Sequence, residues 1–524
     1  MDGFALQFRK TTPTESGFEP LCLIGPNGAG KSQLLQVVAE IFQSVFNACV
    51  PEQERRDGNP ALQFLIEYEI GDPAPASKWV RITRRLENKH RAVLRIFTYE
   101  DGDWIEQPLG GEATLALLPE RVVGYTSGDN ETLSLPFLIS RSGYADEVGK
   151  RALSDVEDKD GVPDTRLMLV DYATHLEVLV ANLLLGDESV KKALLSDANL
   201  KTLHSFRCVI QLAPSSGPRV PTRKKTSHGR KGIQLTDELE RYIDELRRCS
   251  TCHNFEEKND TYTFDFWMNG AVSDAFKTFF GRAIDLYAAL HKLAMLNDLA
   301  IPKSSRERFR RDTNARRFAS RLPEPQDEDK VFRFERVTFN GKLEGTTVEY
   351  VSLSDGEHQL VQLLGMFSMF AFPNVLFLLD EPESHFNPQW RVRFLSRIEE
   401  LPTLGGKRSE KTSDVATQEC LLTTHAPFVP SDMPKDNVII FDKIPEGIRT
   451  HRPNIETYGT TFDAILDECF GVRPPISELS RTEIEELMES DDPDRIRVGL
   501  RRLGDSVEKV FLQDHLSSLL SQKG

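Results

Sequence analysis

The chain has 524 residues, 28% of them charged and 39% hydrophobic, a balance that fits a folded globular protein of two or three structural units and excludes a disordered or membrane chain. A net charge of −16 excludes a uniformly basic nucleic-acid binder, so any such contact falls to local basic patches. No run approaches 18 apolar residues and no basic-then-apolar leader opens the chain, so a cytoplasmic protein with no membrane contact is expected.

Met1 to Phe8 reads as a strand. The apolar run Leu21-Cys22-Leu23-Ile24 then feeds Gly25-Pro26-Asn27-Gly28-Ala29-Gly30-Lys31-Ser32, and the helical pattern Leu34, Leu35, Val38, Ile41, Phe42 follows. A buried strand entering a glycine-rich turn at a helix N-terminus lets backbone N–H groups converge on a phosphate chain. Lys31 is expected to reach the β- and γ-phosphates and the Ser32 hydroxyl to hold Mg²⁺, so a nucleoside triphosphate is the expected ligand.

Short alternating runs come next, Gln63 to Ile70, Trp79 to Arg85 and Val93 to Tyr99, separated by Gly- and Asp-containing turns. They predict an antiparallel sheet beside the phosphate loop. Pro119 onward reads as a buried strand ending in a polar loop, where Asn130 is a candidate for a group near Mg²⁺ or the attacking water.

From 140 to 330 a mainly helical region is expected. Leu167 to Leu185 and Ala271 to Leu299 are apolar at helical spacing, and Thr236 opens an amphipathic helix that runs to Cys249. Cys249-Ser-Thr-Cys252-His253 has the spacing of half a zinc site, without a second Cys/His pair at matching spacing to complete it. Two basic stretches, 219–231 and 303–321, are suited either to a phosphate backbone such as DNA or to intramolecular pairing.

Strands return with Val331 to Phe339 and Thr346 to Leu353. Ser354 then sits where the N-cap of a helix through Leu360, Leu363, Leu364 and Phe367 belongs. Val375-Leu-Phe-Leu-Leu delivers Asp380 and Glu381 at the carboxyl end of a strand buried on both faces. Asp380 is the expected partner of Mg²⁺ and Glu381 the expected base for the hydrolytic water. A last apolar strand, Cys420 to Thr424, ends at His425, placed to contact a γ-phosphate. Gly405 to Thr417 reads as a surface loop, and the chain from Phe462 onward as helices. The acids Asp491, Asp492 and Asp494 read as a turn and helix cap.

Gly25 to Ser32, Leu353-Ser-Asp-Gly-Glu-His-Gln, Asp380-Glu381, Pro382-Glu383-Ser-His-Phe-Asn387-Pro and Thr423-Thr-His425 occur in the order, and at the compact Ser354-to-Asp380 interval, of an ABC-class ATPase head, which the chain resembles. The long interval between Ser32 and Leu353 is similar to the insertions of the SMC, RecF and OLD-like ATPases. The spelling of the acidic and histidine motifs further resembles bacterial defence ATPases, including restriction-system-associated and Septu-type members. The resemblance implies an α/β P-loop NTPase fold, with an ABC-type head, an antiparallel β subdomain and a large helical insertion. Its parts are 1–139, 140–330, 331–470 and a C-terminal helical segment 471–524. It implies ATP and Mg²⁺, with Gly25, Pro26, Asn27, Gly28, Ala29, Gly30, Lys31 and Ser32 of one subunit facing Ser354 and Gly356 of another in a head-to-tail homodimer or higher even oligomer. Lys31, Glu381 and His425 would be catalytic, Ser32 and Asp380 metal-binding, and Glu383 to Asn387 an interface loop. An effector nuclease is the implied partner. Asp355 departs from the family pattern by placing a carboxylate where a glycine is usual, which makes slow or partner-controlled hydrolysis the expectation. An ATP-gated scaffold that holds an effector inactive, or an OLD-like nuclease, are the alternatives.

Overall fold

The computed structural model describes residues 3–9, 18–71, 77–88, 91–128, 131–152, 161–171, 174–213, 230–314, 325–410, 412–413, 415–445 and 447–522. Asn130 and residues 219–229 and 315–321 of the basic stretches lie outside the described residues.

The fold is mixed α/β, centred on a sheet whose strand order is Gly447–His451, Val438–Ile444, Leu21–Ile24, Glu419–Thr424, Val375–Asp380, Arg121–Thr126 and Leu167–Val170. All neighbours are parallel except the outer pair Val438–Ile444 and Gly447–His451, which is antiparallel. Parallel strands bury both faces, which is why Leu21–Ile24 and Val375–Asp380 are buried at every position. Leu21, Leu23, Leu376, Leu378 and Leu421 face a core with the helix Lys31–Cys49. Cys22, Ile24, Phe377, Leu379 and Leu422 face the opposite core, built with the helices Asp355–Met369 and His175–Leu185. The helix after the phosphate loop and the helix opened by Ser354 therefore lie on opposite faces of one sheet.

The register aligns the carboxyl ends. Thr423 sits opposite Leu23 on one side and Asp380 on the other, and Asp380 sits opposite Thr126. In a parallel α/β sheet this end is where ligands are held.

Four strands, Phe64–Ile70, Lys78–Asn88, Arg91–Glu100 and Asp103–Gln107, form the expected antiparallel sheet, the last being one the alternation did not single out. Their inward residues Ile70, Val80, Ile82 and Ile96 pack on the core of the first helix.

Several expectations are corrected. Of the expected strand Met1 to Phe8, the described residues 3–8 form none; Phe4, Leu6 and Phe8 pack on the core as an irregular segment, and Arg9 pairs with Glu419. Leu167 to Leu185 is not one helix. Its first four residues are a strand of the main sheet and its helix is His175–Leu185, since a short apolar run satisfies either geometry. Region 140–330 also holds Leu200–Gln211, Cys252–Glu256 and Thr261–Trp267, which join Phe332–Gly341 and Thr347–Glu349 in a five-stranded antiparallel sheet. The boundary expected at 330 thus falls inside one sheet. The helix expected over Ala271 to Leu299 is broken into Gly270–Phe279, Ala283–Met295 and a short turn at Asn297–Ala300.

Glu478–Met488, Pro493–Arg502 and Val507–Gln522 share a small core of Leu487, Ile496 and Leu512. Among the described residues no helix is long and apolar enough to cross a membrane.

Candidate functional site

The loop after Leu21–Ile24 is shaped by its glycines. Gly25 has φ +140°, and a Cβ there would overlap the carbonyl oxygen of Phe441 on the neighbouring strand. Gly30 adopts the left-handed conformation at the N-cap of the helix Lys31–Cys49 and supplies no capping side chain, so a ligand can take the first-turn N–H groups. Pro26, Asn27 and Gly28 form the exposed rim, while Ala29 turns inward and donates its N–H to Pro26 O at 3.3 Å. Lys31 is buried, its Nζ donating to Gly25 O at 2.8 Å and Pro26 O at 3.1 Å. Burial pulls its pKa down, and the carboxylates Glu381 and Asp380 oppose that shift. A cation that borrows loop carbonyls in this way has donors to hand over to a phosphate.

Ser32 lies beside the carboxylate strand and donates to Asp380 Oδ1 at 2.8 Å, and Thr423 Oγ1 donates to the same oxygen at 2.5 Å. Burial pushes the Asp380 carboxyl above its ordinary range, while the hydroxyls of Thr423 and Ser32 pull it back. A hydroxyl and a carboxylate oxygen this close make a hard-oxygen pair suited to Mg²⁺, whose charge would hold the buried carboxylate ionised.

Glu381 is a non-glycine residue at φ +48°, a left-handed backbone that costs on the order of 1 kcal/mol or more. The turn separates the two acids. Asp380 stays in the sheet, whereas the half-exposed Glu381 carboxylate meets His425, with Nε2 3.1 Å from Oε1. Hydrogen bonding from His425 holds the Glu381 carboxyl below its ordinary range, ionised at neutral pH. Glu381 N–H donates to Thr423 Oγ1 at 3.0 Å, so one threonine hydroxyl ties both acids to the histidine strand. Lys31, Ser32, Asp380, Glu381 and His425 are thereby gathered at one end of the sheet. Thr423 is the member whose role the sequence reading missed; its signal is a hydroxyl at the end of an otherwise apolar strand.

Ser354 does cap its helix. Its Oγ accepts from Glu357 N–H at 3.4 Å, and Glu357 Oε2 accepts from Ser354 N–H at 2.8 Å, a capping box. Gly356 is buried, and a Cβ there would stand 2.9 Å from His385 O, so this turn packs on the loop that follows Asp380. Gln359 Oε1 accepts from His385 N–H at 3.0 Å in the same seam. Ser354 and Asp355 are exposed at the mouth of the helix on the sheet face opposite the phosphate-loop helix. Glu383 is buried, whereas His385 and Asn387 of the same loop are exposed.

Several described residues of the basic stretches pair within the chain. Arg230 pairs with Glu240 and Asp260, and Arg306 with Asp146. Lys303–Asn314 is a helix whose Lys303 and Arg308 face Glu307 and Asp312. Cys249 is buried at a helix end and Cys252 exposed on a strand. Asp492 caps the helix Pro493–Arg502 by accepting from Asp494 N–H. Among the described residues no group of three His, Cys, Asp or Glu side chains is arranged to hold a metal ion.

A search of curated proteins finds no match. Residues 200–432 match the family model described as "AAA domain, putative AbiEii toxin, Type IV TA system". The matched segment begins after the phosphate loop and contains Ser354, Asp380, Glu381 and His425, and over it the chain is similar to an AAA domain of the P-loop ATPase kind.

Proposed function

We propose that the chain is an ABC-type ATPase that binds and hydrolyses ATP with Mg²⁺ between the phosphate loop of one subunit and the Ser354 turn of another. The observation that carries this reading is the linked set Ser32, Asp380, Thr423, Glu381 and His425 at the carboxyl end of one parallel sheet. Ser32 and Asp380 would hold Mg²⁺, which when bound neutralises charge on the phosphates. The loop N–H groups and Lys31 orient the triphosphate, and the ionised Glu381 takes a proton from the attacking water. His425 keeps Glu381 charged and aimed. Placement of the Ser354 turn on the opposite sheet face supports its serving a second subunit, which makes nucleotide state an association switch. Control of an effector nuclease or DNA in anti-phage defence follows from the resemblance of the motifs to defence ATPases.

Two carboxylates, Asp355 and Glu357, stand in the first turn of the Ser354 helix and oppose an incoming γ-phosphate. They favour slow turnover and keep the second reading, an ATP-gated scaffold, in view. Phosphate release from Mg·ATP tests the proposal. Wild type should turn over, and Glu381→Gln should still bind ATP while its rate falls roughly 100-fold or more. An equal rate in both removes Glu381 as the base.

A further inference from the structure

The motif Asp380-Glu381-Pro382-Glu383 carries a third acid that the proposed chemistry leaves unused. Glu383 is 2% exposed, and its Oε1 accepts from the hydroxyl of Thr424, itself fully buried. That hydroxyl in turn accepts the Ala426 N–H at 2.9 Å. A hydroxyl has one proton, so a carboxyl that claims it leaves the Thr424 oxygen lone pairs turned toward Ala426. The Thr424-His425-Ala426 turn is then pinned on both sides of the histidine. Thr423 and Thr424 divide the work: the first holds Asp380 and the Glu381 N–H, the second is held by Glu383.

We propose that Glu383 is a positioning residue for His425: through the Thr424 hydroxyl it fixes the turn that sets His425 Nε2 against the Glu381 carboxylate. Burial pushes the Glu383 carboxyl up to about 7, and the hydrogen bond from the Thr424 hydroxyl opposes that rise by favouring the accepting, ionised form. Its second oxygen is buried and has no hydrogen-bond partner among the described residues, so the Thr424 hydroxyl is the side-chain partner that orients the carboxyl. The inference rests on Glu381 being the base.

Glu383→Gln keeps an acceptor oxygen for Thr424, and Thr424→Ser keeps the hydroxyl; both should hold kcat within about threefold of wild type. Glu383→Ala and Thr424→Val should each lower kcat roughly 10-fold or more with KM for ATP unchanged, and the double variant should lose no more than either single one. With ¹⁵N-histidine labelling, the His425 ring resonances, assigned by their loss in His425→Ala, should move in Glu383→Ala and stay in Glu383→Gln. Unmoved resonances in Glu383→Ala overturn the proposal whether or not the protein hydrolyses ATP. So does a Glu383→Gln variant as impaired as Glu383→Ala. Failure of the base assignment is read separately, from Glu381→Gln hydrolysing at the wild-type rate.

Discussion

Thr423→Val removes a hydroxyl while keeping its shape, at a position with no exposed surface. Two bonds go. One is the donor to the Asp380 carboxylate at 2.5 Å, worth about 1.5–3 kcal/mol as a bond to a charged group; the other is the acceptor for Glu381 N–H at 3.0 Å, worth about 0.5–1.5 kcal/mol. Together the variant should cost about 2–4.5 kcal/mol at neutral pH. The pH dependence carries the sharper test. The Asp380 carboxyl titrates above its ordinary range in the folded protein because it is buried, and the Thr423 hydroxyl is one of the groups restraining that rise. A carboxyl whose folded pKa exceeds its unfolded one binds more protons when folded. Its contribution to stability is therefore present at acid pH and lost as pH rises through the folded value. Removing Thr423 lifts that value further, so the penalty of the variant should be large at pH 7.5 and shrink toward the ~1 kcal/mol of the lost N–H bond as the solution is acidified through the carboxylate range. Thermal midpoints of wild type and variant at several pH values read this out, with a fall of about 2–4 °C expected at pH 7.5 for a chain of 524 residues. A pH-independent difference, or none, would refute the reasoning that Thr423 supports an ionised Asp380.

Gly25→Ala would place a methyl group on the Phe441 carbonyl at a backbone angle that L-residues avoid, so ATP affinity should fall at least tenfold while the circular dichroism spectrum is retained; unchanged affinity would mean the loop is not the phosphate cradle. Arg408 is fully buried, donates to Phe367 O at 2.6 Å and to Gln418, and lies over the rings of Phe18 and Phe367 at 5.3 and 5.1 Å. Arg408→Ala should therefore destabilise the protein by about 3 kcal/mol or more, seen as a lowered thermal midpoint, where a true surface arginine would change it by less than about 0.5 kcal/mol.

The parts of the site that were legible in the sequence are those whose chemistry is local. Gly25 to Ser32 announces its turn by glycine spacing, and Val375 to Leu379 announces a strand buried on both faces that must end in Asp380 and Glu381. Ser354 with Glu357 three residues later is a local capping signal, and the structure closes that box. What escaped depends on partners far away in the chain. Glu383 turns inward because Thr424, 41 residues on, takes its carboxyl. Arg408 sits in a stretch of Gly, Lys, Ser and Glu that reads as surface, yet its guanidinium fits between two phenylalanine rings. Leu167–Val170 is ambiguous in the sequence because four apolar residues satisfy helix and strand alike, and only the neighbouring strand Arg121–Thr126 decides. Leu200–Gln211 mixes polar and apolar residues without clean alternation, and its partners at 261–267 and 332–341 are remote in sequence.

The most direct test of the proposed sandwich is the solution mass of Glu381→Gln with Mg·ATP, measured by light scattering beside Glu381→Gln/Ser354→Arg. Trapped ATP should double the mass of the single variant, and the added arginine at the mouth of the opposing helix should return it to the nucleotide-free value. A mass that ignores ATP in the single variant, or a doubling that survives Ser354→Arg, would contradict a site completed by the Ser354 turn of a second subunit.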